Sequence, residues 1–215
     1  MRLSERPVIV GIAGGSGSGK STIVKELMRL LGPDIAIVIR HDWYYRDLSH
    51  LDLDDRVKVN FDHPSSLETD LLVEHVMTLI RGDSVDAPSY NFTTHTRSSH
   101  TVRLELSRVM ILDGILTLAH DQLRQLMDVR VFVDTDVTKR LERRLRRDIG
   151  KRGRSPESVT QQFERTVLPM HNEFVEPSRK HADITISGEH QDSASMRHLA
   201  LRVKELLAED TLTNG

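Results

Sequence analysis

The stretch "GGSGSGKST", residues 14–22, constrains this chain more than any other. It holds Gly14-x4-Gly19-Lys20-Ser21 between two segments of opposite texture. Before it, "PVIVGIA" (7–13) is a continuous β-branched run, which predicts a strand buried on both faces. After it, "STIVKELMRLL" (21–31) repeats Ile23, Leu27, Leu30 and Leu31 at helical spacing and stops at "GPD". Strand, glycine loop and helix in that order form the P-loop pattern. A flexible Gly/Ser linker has no reason to sit between a buried strand and an amphipathic helix with Lys-Ser at the joint.

The residue types follow from the anion they suit. Glycines let successive backbone N–H groups turn inward, and they carry no side chain to obstruct a phosphate. The helix adds unsatisfied N–H groups and the positive end of its dipole. Gly14, Gly15, Ser16, Gly17, Ser18, Gly19, Lys20, Ser21 and Thr22 are therefore expected to cradle a nucleoside triphosphate, ATP or GTP. Lys20 would supply charge to the β- and γ-phosphates, and Ser21 a hydroxyl to Mg²⁺. A GTPase, an ATP-driven motor and a small-molecule kinase share this feature, so it leaves the reaction open.

The rest of the chain reads as one α/β domain over 1–215, a parallel sheet flanked by helices in the P-loop NTPase manner. "IAIVI", "RVMILDGIL", "DVRVFVDT" and "DITIS" have buried-strand character, and residues 67–80 have helical periodicity. A closing helix is expected over 192–207, with "EDTLTNG" frayed. Residues 83–106 mix alternating patches with Pro, Ser, Thr and Asn, which predicts an inserted hairpin or small antiparallel flap.

Composition narrows the partners. A formal net charge of −2 provides no global field for nucleic acid or a membrane surface. No signal peptide or spanning segment is recognisable, and zero cysteines suit a reducing cytoplasm.

Charge is concentrated in "KRLERRLRRDIGKRGR", 139–154. On a helix from about Val137, Arg140, Arg143, Arg144 and Arg147 share one face, either solvated or functional. Two glycines interrupt "GKRGR", so the helix is expected to give way to an arginine-rich lid at about 150–156. Arg147 and Arg152 are the arginines expected to meet a transferring phosphoryl group.

Two aspartates stand where strands end. Asp113 closes "VMILD" on the phosphate side, where a carboxylate can hold Mg²⁺ or its water, or simply cap the turn before Gly114. Asp42 follows the second strand, where an acceptor hydroxyl would approach the γ-phosphate. It could take the hydroxyl proton, share in metal coordination, or cap the turn. Six of the nine aromatic residues lie between Trp43 and Phe92, off the buried strands, as expected for a pocket wall facing a flat base.

The blocks "GIAGGSGSGKST", "HDWYYRDLSHL", "VNFDHPSSL", "SYNFTTHTRSS", "ILDGIL" and "VLPMHNEFVEPSRKHADITI", with the basic run, resemble the uridine kinase (uridine–cytidine kinase) family in order and spacing. The resemblance spans about Val8 to Ile186. It implies ATP- and Mg²⁺-dependent phosphorylation of uridine or cytidine at the 5′-hydroxyl in pyrimidine salvage, by a cytoplasmic homotetramer. By position, Asp42 matches the general base and Tyr45 a neighbour in the nucleoside pocket. Asp62 matches the acid on the ribose hydroxyls, Tyr90 and His95 the pair reading the pyrimidine edge, and Phe92 the ring packing on the base. Arg144, Arg154 and Gln162 match further nucleoside contacts, and Arg147 and Arg152 the arginines on the ATP phosphates. His63 is expected to make a structural hydrogen bond.

Several positions depart from the family pattern. Trp43 replaces a small hydroxyl residue, Asn91 an aspartate and Asp113 a glutamate, while "GEHQD" lacks a glycine pair and puts Gln191 where an acid is usual near the adenine. Two alternatives remain beside nucleoside phosphorylation: a related kinase for pantothenate or ribulose phosphate, and a nucleotide-binding regulator with little phosphotransfer.

Overall fold

The computed structural model describes residues 6–32, 34–189 and 193–213. Strand β1 (Val8–Ala13) leads through the glycine loop to helix α1 (Lys20–Leu31). Strand β2 (Ala36–Arg40) runs into a 3-10 turn, His41–Tyr44, followed by short helix α2 (Leu53–Arg56) and helix α3 (Thr69–Ile80). Strands β3 (Val85–Asn91) and β4 (Thr96–Leu104) pair antiparallel as a separate two-stranded sheet, the hairpin expected over 83–106. Then come β5 (Val109–Asp113), α4 (Asp121–Leu126), β6 (Val129–Asp134), α5 (Val137–Arg152) and α6 (Pro156–Gln162). Helical turns continue over 163–181, with π-turns at Phe163–Val167 and His171–Val175, before β7 (Ile184–Ser187) and a C-terminal helix, Ser193–Thr213.

Five strands make one parallel sheet in the order β2-β5-β1-β6-β7. The three inner strands are nearly continuous apolar runs because both their faces are covered. Their side chains alternate between two cores. Ile9, Met110, Leu112 and Phe132 pack toward α3 and the base of the hairpin, and Val10, Ile12, Ile111 and Val131 pack toward α1 and the C-terminal helix. All eight are essentially inaccessible, so the carboxyl ends of these strands stand on a rigid base. β2, at the sheet edge, is only half-buried.

The structure corrects the sequence at two helix ends. α5 does not stop at Gly150 but runs through it to Arg152, and Gly153, with φ 64°, supplies the left-handed cap. A helical glycine costs only about 1 kcal/mol. Asp148, fully buried, pairs with Arg144, Arg147 and Arg152 and staples that last turn. The loop therefore shrinks to 153–155, where Ser155 caps α6 by accepting from the Ser158 N–H. The C-terminal helix continues to Thr213, past 207, since neither glycine nor proline interrupts it.

Candidate active site

The P-loop begins the site. Gly17 and Gly19 take φ of 84° and 102°, conformations that side chains rarely adopt, and α1 starts on Gly19 without a side-chain cap. Its first N–H groups thus face the concavity with their dipole unscreened. Lys20 is half-buried, and its Nζ donates to the Gly14 and Gly15 carbonyls at 2.9 and 3.1 Å. Burial lowers its pKa, against the pull of Asp113 and Asp42 nearby.

The two aspartates arrive from neighbouring strands. Asp113 ends β5, in register with Ile12 on one side and Arg40 on the other. Asp42 sits two residues beyond Arg40 in the 3-10 turn, and that turn is pinned from behind. His41 is buried, with Nε2 3.0 Å from the Thr69 hydroxyl, and Tyr44 is fully buried, with its hydroxyl 3.0 Å from His75 Nδ1. Gly114 leaves room for this, since a Cβ there would lie 2.4 Å from His41 Cβ. With His41 and Tyr44 committed to the core, Asp42 and Tyr45 face the cavity. Among the described residues Asp42 Oδ1 is buried without a hydrogen-bond partner and the 3-10 turn has no side-chain cap, which leaves the turn-capping alternative without a bond. Burial first, then the neighbouring Asp113 charge, raises the Asp42 pKa to about 6. Burial raises Asp113 as well, opposed by Lys20 and Arg40.

One cavity of about 320 Å³ joins these groups to nearly all the other residues singled out from sequence. Ser16, Gly17, Gly19, Lys20, Ser21, Asp42 and Asp113 border it on the sheet side. Tyr45, Asp62, Tyr90, Phe92, His95, Arg144, Arg147, Arg152, Arg154 and Gln162 border it on the other. Gly14, Gly15 and Ser18 lie behind this lining. Thr22 borders a second cavity of about 570 Å³ between α1, residues 187–189 and the C-terminal helix, and Gly19 and Arg143 line both cavities. His190, Gln191 and Asp192 lie outside the described residues.

The aromatic wall is continuous. Tyr45 lies 5.3 Å from Phe61 and 5.0 Å from Tyr90 by ring centroids, Tyr90 is 5.1 Å from Phe92, and His95 stacks on Phe61 at 5.5 Å. The Tyr90 hydroxyl is buried and has no hydrogen-bond partner among the described residues. Burial, with Arg154 and Arg152 close by, lowers the His95 pKa, favouring a neutral ring. Asn91 Oδ1 accepts from the Thr93 and Thr94 N–H groups at 2.9 and 3.2 Å. An amide oxygen does this as well as a carboxylate, so the change at 91 leaves the hairpin tip intact.

The arginine face of α5 is packed rather than solvated. Arg140 and Arg144 are 3% and 6% exposed. Arg144 donates to the Ser16 hydroxyl at 2.6 Å and to Gln162 Oε1 at 3.1 Å, and Arg154 also donates to Gln162 Oε1. Burial raises the Asp62 pKa against the attraction of Arg144 and Arg147. His63 caps the turn at Pro64–Ser66 and bonds Ser65, a structural task as expected. Trp43 is half-buried against the core below the hairpin, with Arg40 6.0 Å from its ring, and does not border the cavity.

Sequence reasoning missed three contributors. Arg143 ties the P-loop to the end of β7, donating to the Ser18 and Gly188 carbonyls at 3.1 and 2.8 Å. His41 anchors the turn, and Asp148 gathers the arginines. Arg143 stood on the expected arginine face. Phe61, one of the aromatics expected in a pocket wall, completes that wall.

The donor set fits a magnesium ion. Ser21, Asp113 and Asp42 border one cavity, and no cluster of three or more His, Cys, Asp or Glu residues suited to a metal occurs among the described residues. An ion held by one hydroxyl and one or two carboxylates needs phosphate oxygens and water for the rest, which is how Mg²⁺ is usually bound. Among the described residues, no helix is long and apolar enough to cross a membrane.

A model of the phosphoribulokinase/uridine kinase family matches residues 9–193. A uridine kinase of Clostridium perfringens is 44% identical over 203 residues, covering 94% of this chain and 98% of that one. A uridine kinase of Anoxybacillus flavithermus is 41% identical over 210 residues, covering 98% and 100%. A crystal structure from Silicibacter sp. TM1040 shares the fold with a TM-score of 0.70 at 19% identity, covering 85% of this chain and 91% of that one.

Proposed function

The chain belongs to the phosphoribulokinase/uridine kinase family, and from that premise we propose that it transfers the γ-phosphoryl group of ATP to the 5′-hydroxyl of uridine or cytidine. The observation that carries this reading is the shared cavity. A phosphate loop, a carboxylate whose buried Oδ1 has no partner among the described residues, and an aromatic wall whose Tyr90 phenol likewise has none border the same space. The regulator alternative loses its motive, because Trp43 does not border the cavity and the Asp113 carboxyl group does, at the strand end.

In this reading the triphosphate lies along 14–22, and its base reaches the second cavity past Gly19 and Arg143. Asp62 holds the ribose hydroxyls. Tyr45, Phe61 and Phe92 enclose the base, while Tyr90 and His95 hydrogen-bond its edge. Ser21 and Asp113 would hold Mg²⁺, which when bound neutralises charge across the β- and γ-phosphates. The 5′-oxygen forms a bond to the γ-phosphorus as the β–γ bridging bond breaks, and Asp42 receives the hydroxyl proton. Its raised pKa brings that carboxylate closer to the operating pH, as a general base requires. Lys20, Arg147 and Arg152 carry the charge that develops on the transferring group and the departing diphosphate. A lid movement at 153–155 would exclude water during transfer.

The test is phosphoryl transfer from ATP and GTP to uridine, cytidine, their 2′-deoxy forms, pantothenate and ribulose 5-phosphate. The reading expects turnover with the two ribonucleosides and little with the rest. Comparable turnover with pantothenate or the sugar phosphate, or nucleotide binding without product, would sink it.

A further inference from the structure

The arginine end of α5 contains a carboxylate that the reaction above does not use. Asp148 is fully buried in the middle of the arginine cluster, where charges of one sign would otherwise crowd together. Its Oδ1 accepts from Arg147 Nε at 2.7 Å and lies 3.3 Å from Arg152 Nη1. Its Oδ2 lies 3.6 Å from Arg144 Nη2, an ion pair beyond hydrogen-bond length, and has no hydrogen-bond partner of its own among the described residues. Burial alone would raise its pKa, but the Arg147 hydrogen bond and the Arg147, Arg152 and Arg144 charges outweigh it and keep the group ionised. The same residue's carbonyl accepts from the Gly153 and Arg154 N–H groups. Side chain and main chain of one aspartate therefore fix the arginines and the exit of the loop together.

Arg152 has a second partner. Its guanidinium lies 4.6 Å from the Phe92 ring centroid, so the end of α5 meets the hairpin through one side chain. Asp148 and Phe92 thus hold Arg152 from opposite elements.

We propose that Asp148 is a positioning residue for phosphoryl transfer: it holds Arg147 and Arg152 at the cavity rim and sets where their charge falls on the transferring phosphate. The proposal rests on the phosphate role of those two arginines. A buried carboxylate in this place does two things at once. It removes the repulsion that would splay the arginines apart, and it fixes the planar guanidinium groups in direction. Its charge also opposes binding of a further anion, so its removal is expected to leave triphosphate affinity intact or improve it while the chemical step suffers.

The test is a double-mutant cycle with Asp148→Asn and Arg152→Gln, in which rates are expressed per ATP-binding site titrated in each variant. Asp148→Asn is expected to lower kcat with uridine about 100-fold, the size of effect that an ångström of misplacement produces. Its Kd for ATP should stay within about 3-fold of wild type or tighten, a shift of less than about half a decade. In the Arg152→Gln background the same substitution should cost less than in the wild type, because one of its two targets has gone and only Arg147 is left to misplace. A merely structural aspartate would lower the number of titratable sites, leave kcat per site unchanged and add fully in the cycle, and that outcome overturns the proposal. If Asp148→Asn yields no folded protein, Asp148→Glu takes its place, with an expected loss of about 10-fold per site because the charge stays but shifts by a methylene. Arg152→Gln and Arg147→Gln alone test the underlying reading. Unchanged kcat in both would refute the phosphate role of the arginines, whereas a loss there with no effect at Asp148 refutes this proposal alone.

Discussion

The cavity has two walls of different construction. On one side, Asp113 ends an inner strand whose apolar side chains are inaccessible to water, Lys20 opens α1 behind the P-loop, and the turn carrying Asp42 is bolted down by His41 and Tyr44. On the other, Tyr90, Phe92 and His95 ride on a two-stranded hairpin anchored by Val85, Ala87 and Leu104 at its base. Arg152 precedes a short loop there, and Arg154 lies within it. The sheet wall carries the groups proposed to act on the bond that forms, and the hairpin wall those proposed to recognise the acceptor and gather charge. Packing density explains the division. Groups that need fixed distances sit on the part of the molecule that costs most to deform, and groups that must admit and release a ligand sit on the part that costs least.

Substitutions on the two walls should therefore differ in kind. Asp42→Asn is the largest expected effect, a fall in kcat of about 1000-fold with ATP affinity nearly unchanged, since proton acceptance typically contributes 10²–10⁴-fold. Isothermal titration beside a coupled assay would separate the two, and turnover near wild type would remove Asp42 as the base. Asp62→Asn comes next, with a loss of about 100-fold in kcat/KM for uridine and much less for 2′-deoxyuridine, in line with a charged hydrogen bond to the ribose. Equal losses for both nucleosides would mean that Asp62 serves Arg144 rather than the sugar.

Two smaller effects sharpen the contrast. Phe92→Ala should raise KM for uridine about 10-fold with little change in kcat, the usual scale for losing one stacking ring. A fall in kcat instead would place Phe92 in charge of Arg152 rather than of the base. The sheet wall should answer to pH. Asp42 must be ionised to accept a proton, so kcat/KM should be level above pH 7 and decline on acidification through about pH 6. A profile that stays level down to pH 5 would contradict the proposed environment of Asp42.

Legibility divided along the same line. The inner strands could be read almost to the residue because burial on both faces writes itself as unbroken apolar runs, and the P-loop because phosphate binding restricts backbone and side chain together. The hairpin was visible as a change of texture. Asp148 was missed for a specific reason: its partner Arg152 lies one helical turn on, across Gly150, a relation that exists only if the helix survives that glycine. Reading glycine as a stop concealed the ion pairs that make it tolerable. The helical turns over 163–181 were recognisable only as family blocks, since π-turns break the regular period that a sequence pattern needs. Arg143 was on a noticed face, but its contacts are backbone carbonyls from Ser18 and Gly188, which no side-chain pattern reveals.

Trp43 gives the smallest expected effect and the finest test of the two-wall division. By sequence it adjoins Asp42, and a bulky ring where the family resemblance implies a small residue looks like interference with the base. In the folded chain the 3-10 turn sends successive side chains in different directions, so the ring packs against the core below the hairpin while the carboxylate faces the cavity. Trp43→Ser should thus change kcat and both KM values by less than about 2-fold, a few tenths of a kcal/mol. The cost should appear in stability, about 1–2 kcal/mol for a half-buried aromatic, which lowers Tm by roughly 2–8 °C in a domain of this size. A melting curve and a Michaelis plot on the same preparation decide it. Intact stability with altered turnover would mean that the turn does not insulate the ring from the base, and that adjacency in sequence still governs the site.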